Sequence, residues 1–188
     1  MPVRPENLHI LHYPHDALRE KGALVDPIDA HARAIADRMI ELMYDAEGIG
    51  LAAPQVGLAL RLFVVDVPPT QDGARSPDDE PPTASRGPLV FFNPRIERYV
   101  GRPELGDEGC LSLPDIHGEV LRPPEIVVRA TDREGAEFTL HAAGLLARCI
   151  QHENDHLDGV LILDRFVMGS RLRNRAAVRD LERAAGRR

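Results

Sequence analysis

His152-Glu153-Asn154-Asp155-His156 decides how this chain is read. On a helix, positions 152 and 156 fall on one face a turn apart, so two imidazoles can share one ion. Glu153 stands beside the first histidine and can reach a water on that ion without ligating it. The same short pattern also arises by accident, and ordinary surface or core histidines are the plain alternative. Its surroundings argue for a site. Gly144-Leu145-Leu146-Ala147-Arg148-Cys149-Ile150-Gln151 precedes it as an apolar, helix-favouring run, and Gly159 behind it suits a helix stop. Two histidines and a glutamate buried in such a helix need compensation, which a metal provides.

The third ligand sets the chemistry. In the extended zinc-peptidase pattern a glycine stands seven residues after the first histidine and a third histidine ten after it. Gly159 fits, but the second position is Ile162. The other peptidase form needs a later glutamate, and the only one downstream is Glu182, inside an arginine-rich tail. The ligand is therefore expected upstream, among Cys110, Cys149, His117 and His141. Cys149 would have to line up with both histidines along about 10 Å of one helix, which is awkward, and it reads better as a small core residue. Cys110 sits in Glu108-Gly109-Cys110-Leu111-Ser112-Leu113-Pro114, where the apolar alternation suggests a strand and glycine permits close backbone approach. A thiolate brought from a strand to the histidine pair would give a Cys-His-His set with an open fourth position.

Three separated blocks now carry a resemblance. They are Gly48-Ile49-Gly50-Leu51-Ala52-Ala53-Pro54-Gln55-Val56-Gly57, then Glu108-Gly109-Cys110-Leu111-Ser112, then Gln151-His152-Glu153-Asn154-Asp155-His156-Leu157. In this order they resemble the motifs of the peptide deformylase family. Weaker similarity runs from Ile10-Leu11-His12-Tyr13-Pro14 to Leu161-Ile162-Leu163-Asp164-Arg165, leaving out one loop and the tail.

The resemblance implies hydrolytic removal of the formyl group from the N-terminal formyl-methionine of new polypeptides, releasing formate. It implies that Cys110, His152 and His156 bind a metal, typically Fe2+, with Zn2+, Ni2+ or Co2+ able to take the same site. Glu153 would pass a proton from water to the leaving amine. The side-chain amide of Gln55 and the backbone N–H of Leu111 would face the oxygen on which charge develops. Gly50 and Gly109 would hold the peptide extended through backbone hydrogen bonds. Ile49, Leu145 and Cys149 would line the methionine pocket, with Glu108 near its edge. Arg148 departs from the pattern, since many relatives carry an apolar residue there; its guanidinium must reach the rim or pair with a carboxylate. Asp155 and Gln151 are expected to be structural partners rather than ligands.

At 188 residues with 43% hydrophobic content, the chain suits one globular domain. No apolar run is long enough to span a membrane, and Met1-Pro2-Val3-Arg4-Pro5-Glu6 lacks a signal-peptide core, so the cytoplasm is expected. Two cysteines, one of them a candidate thiolate ligand, argue for a reducing compartment. Neither a membrane nor DNA is an expected partner.

Periodicity predicts a first helix from Ala30 to Ala46 with Ile28, Ala32, Ile35, Met39, Leu42, Met43 and Ala46 on its apolar face. Strands are predicted at Arg61–Val67, Leu89–Phe92, Arg95–Val100, Glu119–Arg122, Glu125–Thr131 and Glu137–His141. The expected fold is α+β, with antiparallel β-sheets packed around a central helix carrying the metal motif, plus a C-terminal helix. Residues 1–170 form the expected catalytic domain. Within it the proline-rich stretch 68–88 reads as a flexible surface loop.

The tail 171–188 carries seven arginines against Asp180 and Glu182, a local charge of +5 in a chain of net −7. Arg171, Arg175, Arg179, Arg183 and Arg187 recur every four residues, a basic stripe expected opposite Leu172, Ala176 and Leu181. It reads either as a solvated face or as a contact to ribosomal RNA, the second suggested by the resemblance and by the attraction of arginine for phosphate. Two other functions compete: a zinc peptidase built on the same helix, and a non-catalytic RNA-binding relative that keeps the tail without needing Glu153.

Overall fold

The computed structural model describes residues 3–71 and 73–186. Arg187 of the basic stripe, Asp72 of the proline-rich loop and the first two residues of the chain lie outside the described residues. Helix α1 (Ala30–Asp45) is capped by the Asp29 carboxylate, which accepts the Ala32 N–H at 2.9 Å. It lays Ala32, Ile35, Ala36, Met39, Leu42 and Met43 inward, as the 3.6-residue spacing requires.

Five strands, β1 (Gly50–Ala52), β2 (Leu62–Val65), β3 (Leu89–Val100), β6 (Glu125–Thr131) and β7 (Glu137–Ala143), form one antiparallel sheet in the order β1-β2-β3-β6-β7. A separate hairpin pairs β4 (Glu104–Cys110) with β5 (Leu113–Arg122). The sheet is covered on both faces around β2, whose four residues are all buried. Successive side chains point to opposite faces, so Leu62 and Val64 join the cluster under α1. Phe63 and Val65 turn to the other face, against Leu146, Ala147 and Ile150 of helix α2 (Gly144–Leu157). Phe91 meets Phe63 at 4.7 Å and Phe138 at 5.3 Å between ring centroids, both pairs tilted, and a fully buried phenyl ring contributes about 1.5–3 kcal/mol. The helix carrying the histidine pair thus rests on a rigid floor.

Where two strands were expected, β3 runs unbroken across Asn93-Pro94 with register shifts. Asn93 takes a positive φ of 53°, and its amide closes the gap by accepting the Val25 N–H at 2.8 Å and donating to the Val25 carbonyl at 2.9 Å. Strand β5 begins at Leu113, six residues ahead of the predicted strand, because its inward positions 116, 118, 120 and 122 alternate only when glycine is counted as an inward residue. The described residues of 68–88 contain no helix or strand, but they are tied internally by Thr70, Ser76 and Thr83 and to Val67 by Ser85.

After the short helix α3 (Ile162–Arg165), helix α4 (Met168–Ala184) begins three residues ahead of the expected tail and packs on the hairpin. Its inner line is Ser170, Asn174, Val178 and Leu181, which keeps the expected Leu181 but leaves Leu172 and Ala176 outside; Leu172 is 62% exposed. Ser170 Oγ accepts the Glu119 N–H and Asn174 donates to the His117 carbonyl, so polar anchors rather than hydrophobic spacing set the rotation of this helix. No helix among the described residues is long and apolar enough to cross a membrane.

Candidate metal centre and active site

Helix α2 presents His152 and His156 one turn apart, with ring centroids separated by 5.0 Å and both rings buried. Its C-terminal end is fixed by Gly159 at φ 73°, where a Cβ would run into the Arg19 carbonyl. Cys110 ends β4 at a register shift between Gly109 and Cys110, and such an irregularity re-aims a side chain. Its Sγ lies 3.3 Å from His156 Nε2, and one ligand atom each from Cys110, His152 and His156 lie within 4.8 Å of one another.

The other upstream candidates are elsewhere. His141 pairs with Glu125 at 2.9 Å on an exposed part of β7, and His117 is a largely exposed residue 4.0 Å from Asp107. Cys149 is buried with its Sγ 3.4 Å from the Ile49 carbonyl, and burial pushes its thiol well above the ordinary range. Glu182 accepts a hydrogen bond from Tyr13 at 2.7 Å.

One sulfur and two imidazole nitrogens suit a borderline divalent metal. His152 Nδ1 lies 3.0 Å from Glu108 Oε2, which turns Nε2 toward the cavity. Glu153 supplies a second sign of a polar occupant, because its Oε2 is buried without a hydrogen-bond partner. Burial, the largest influence, pushes its carboxyl up to about 7, against the pull of His152 and Arg122. The residues present therefore fit a bound metal with a buried carboxylate beside it. Gly50 makes room for that carboxylate: a Cβ there would strike it and would stand 2.8 Å from Cys149 Sγ.

Gln55 lies in the turn after β1 and is almost fully buried. Its Oε1 accepts the Ala52 N–H at 2.8 Å, so its Nε2 must face the centre, 3.5 Å from Cys110 Sγ and 3.2 Å from Ser112 Oγ. A cavity of about 570 Å³ opens over these groups. Ile49, Gly50, Leu145 and Cys149 line one part of it, and Glu108, Gly109 and Leu111 another.

Glu108 touches this cavity, but its carboxylate is engaged behind His152. Oε1 receives Arg122 Nε at 2.6 Å and Arg148 Nη1 at 2.9 Å, while Oε2 receives Arg122 Nη2 at 2.9 Å. Burial, the largest influence, would raise this carboxyl; hydrogen bonds from His152 and Arg122 outweigh it and hold the group far below the usual carboxylate range. Arg122 continues to Asp155 at 2.9 Å, which also takes Arg165 at 2.6 Å. Asp155 thus has the structural role expected of it, and Gln151 donates to the carbonyls of Pro123 and Ala147.

Sequence reasoning missed Arg122 and Ser112. Arg122 had a signal: it continues the inward alternation of Ile116, Gly118 and Val120, and two buried carboxylates beside the ligand helix call for a cation. Ser112 had none beyond its place at the end of the Cys110 block.

Comparison with known proteins agrees with this geometry. The profile of the family described as polypeptide deformylase matches residues 7–171. A peptide deformylase of Rhizobium meliloti is 43% identical over 185 residues, covering 98% of this chain and 95% of that protein. The crystal structure of peptide deformylase from Ehrlichia chaffeensis superposes with a TM-score of 0.84 at 34% identity, covering 95% of this chain and 98% of that one. The same enzyme in complex with actinonin gives a TM-score of 0.82 at 32% identity, covering 94% and 96%. With its fold, its cysteine and its histidine pair in these places, the chain belongs to the polypeptide deformylase family.

Proposed function

We propose that this chain removes the formyl group from the N-terminal formyl-methionine of newly synthesised polypeptides through a metal held by Cys110, His152 and His156. The observation that carries the reading is the convergence of one thiol and two imidazoles beside a buried carboxylate with an unpartnered oxygen. Once bound, the metal supplies Lewis acidity, lowering the pKa of a water and polarising a carbonyl. Fe2+ is the proposed native ion, with Zn2+, Ni2+ or Co2+ able to replace it.

Glu153 takes the proton of the attacking water and returns it to the nitrogen as the C–N bond of the formamide breaks and a C–O bond forms. Gln55 Nε2 and the Leu111 N–H donate to the formyl oxygen as charge grows on it, and Gln55 is pre-aimed by its bond from Ala52. Ile49, Leu145 and Cys149 receive the methionine side chain, while Gly50 and Gly109 bind the peptide backbone. A zinc-peptidase alternative has less support, since the candidate ligand thiol lies upstream on a strand and Glu182 is engaged by Tyr13.

The test is formate release from a formyl-methionyl peptide. Glu153→Ala should lose about 10²–10⁴ in turnover while keeping its metal. Wild-type, metal-loaded protein that cuts internal peptide bonds and spares formyl groups would overturn the reading.

We place the enzyme in the cytoplasm, where a reducing milieu keeps a thiolate ligand intact. Ribosome contact through α4 is supported by its exposed Arg171, Arg175 and Arg179. Because α4 also covers the hairpin, the suitable test is Arg171→Gln, Arg175→Gln and Arg179→Gln together, not truncation. Unchanged ribosome affinity and salt dependence would reject the contact.

A further inference from the structure

Arg148 stands one turn before His152 on α2, and its side chain crosses to the β4–β5 hairpin. Nη1 donates to Glu108 Oε1 at 2.9 Å and to the Val120 carbonyl at 3.1 Å, while Nη2 donates to the Glu104 carbonyl at 3.1 Å. The guanidinium also lies directly over Gly106, where a Cβ would come within 2.5 Å of its central carbon. One side chain therefore engages both strands of the hairpin. It does so between the element carrying the histidines and the element carrying Cys110.

Charge neutralisation does not account for this arrangement. Glu108 already has a two-pronged partner in Arg122, itself buried, and a further contact to His152. What Arg148 adds is a fixed spacing. The hairpin forms a sheet of its own, without strand pairing to the five-stranded sheet beneath α2. Backbone bonds from Tyr13 to Ser112 and from Val167 to Glu119 hold the hairpin to neighbouring segments, but none of them reaches α2, so the spacing of Cys110 from the histidine helix is set by side-chain ties, Arg148 and Arg122 among them. Arg148 supplies three hydrogen bonds in one plane, a geometry that a lysine ammonium cannot reproduce.

We infer that Arg148 is a positioning residue for the metal centre, clamping the Cys110 strand to the histidine helix through the shape of its guanidinium rather than its charge. The inference rests on Cys110, His152 and His156 being the metal ligands. It also explains why an arginine can occupy the edge of a substrate cavity: both terminal nitrogens of its guanidinium are engaged by the hairpin.

The experiment measures Co2+ affinity by chelator competition, together with the sulfur-to-cobalt charge-transfer absorption, in wild type, Arg148→Leu, Arg148→Lys and Gly106→Ala. Gly106→Ala keeps the arginine and its charge but pushes the guanidinium off its seat. All three variants should bind Co2+ about tenfold or more weakly, the lower end of the range for groups that support ligands. Their thiolate absorption should be weakened or shifted, with far-UV circular dichroism unchanged. If Arg148→Leu fails to fold, Arg148→Lys and Gly106→Ala still decide. Lysine restoring wild-type affinity and spectrum would reduce Arg148 to a charge partner and overturn the inference, as would Gly106→Ala matching wild type in both readouts. Wild-type protein that binds no Co2+ would overturn the ligand assignment beneath it, which separates the two failures.

Discussion

Arg122 meets Glu108 fork to fork, Nε to Oε1 at 2.6 Å and Nη2 to Oε2 at 2.9 Å, with both side chains at or below 6% exposed. The pair backs His152 directly through the other contact of Glu108. Removing one member of a buried ion pair leaves an uncompensated charge, which costs about 3–5 kcal/mol. Arg122→Met should fall at the lower end, about 3 kcal/mol, because Arg148 and His152 still serve Glu108 and Arg165 still serves Asp155. Urea unfolding of the metal-free protein reads this out; a loss under about 0.5 kcal/mol, the range of ordinary surface changes, would contradict the role given to the pair.

Gln55→Met keeps the length of the side chain and deletes its donor. Turnover should drop about 10²–10³-fold, as for loss of one oxyanion donor, while metal content stays at wild-type level. Equal losses of metal and activity would instead assign Gln55 to holding the centre together.

Gly50→Ala places a methyl group against the Glu153 carboxylate and Cys149 Sγ. A displacement of about 1 Å at a catalytic group can cost roughly 10²-fold. Activity should fall by that order with little change in the unfolding midpoint. A fully active variant would show that Glu153 does not need this position.

Asp164 carries the pH prediction. Burial, the largest influence, would raise its pKa, but hydrogen bonds from Arg19 and the Leu161 N–H together lower it below its ordinary value. A group whose folded pKa is depressed contributes stability above its unfolded pKa of about 3.9, and that contribution is lost as pH falls through the folded value. Both partners are half exposed, so the contribution is small, about 0.5–1 kcal/mol. Asp164→Asn should therefore lower the urea midpoint at pH 7, and its difference from wild type should shrink as the pH is taken below about 4. A difference that does not change with pH would show the carboxylate's charge to be irrelevant there.

The ligand helix was legible because two periodicities coincide on it: the apolar face of Leu146, Ala147 and Ile150, and the i, i+4 histidines. Cys110 was legible as a strand residue, and its meeting with His156, 46 positions away, followed from the family pattern rather than from local spacing. Arg122 was missed, since its partners are 14 and 33 residues distant and its one local mark, the inward alternation of β5, shows only when Gly118 is counted as inward. The rotation of α4 was misjudged for a related reason. Hydrophobic spacing favoured Leu172, but the helix is pinned by Ser170 and Asn174, whose partners on the hairpin lie more than 50 positions away. Along β3 the predicted strands stopped at Phe92 and resumed at Arg95, and the amide of Asn93 bridges the interval through contacts that sequence periodicity does not contain.

The central claim is that Cys110, His152 and His156 hold one metal, and X-ray absorption at the metal edge of zinc-loaded protein tests it most directly. One sulfur at about 2.3 Å and two imidazole nitrogens at about 2.0–2.1 Å are predicted, with the sulfur lost in Cys110→Ser. A first shell of nitrogen and oxygen alone in the wild-type protein would contradict the account.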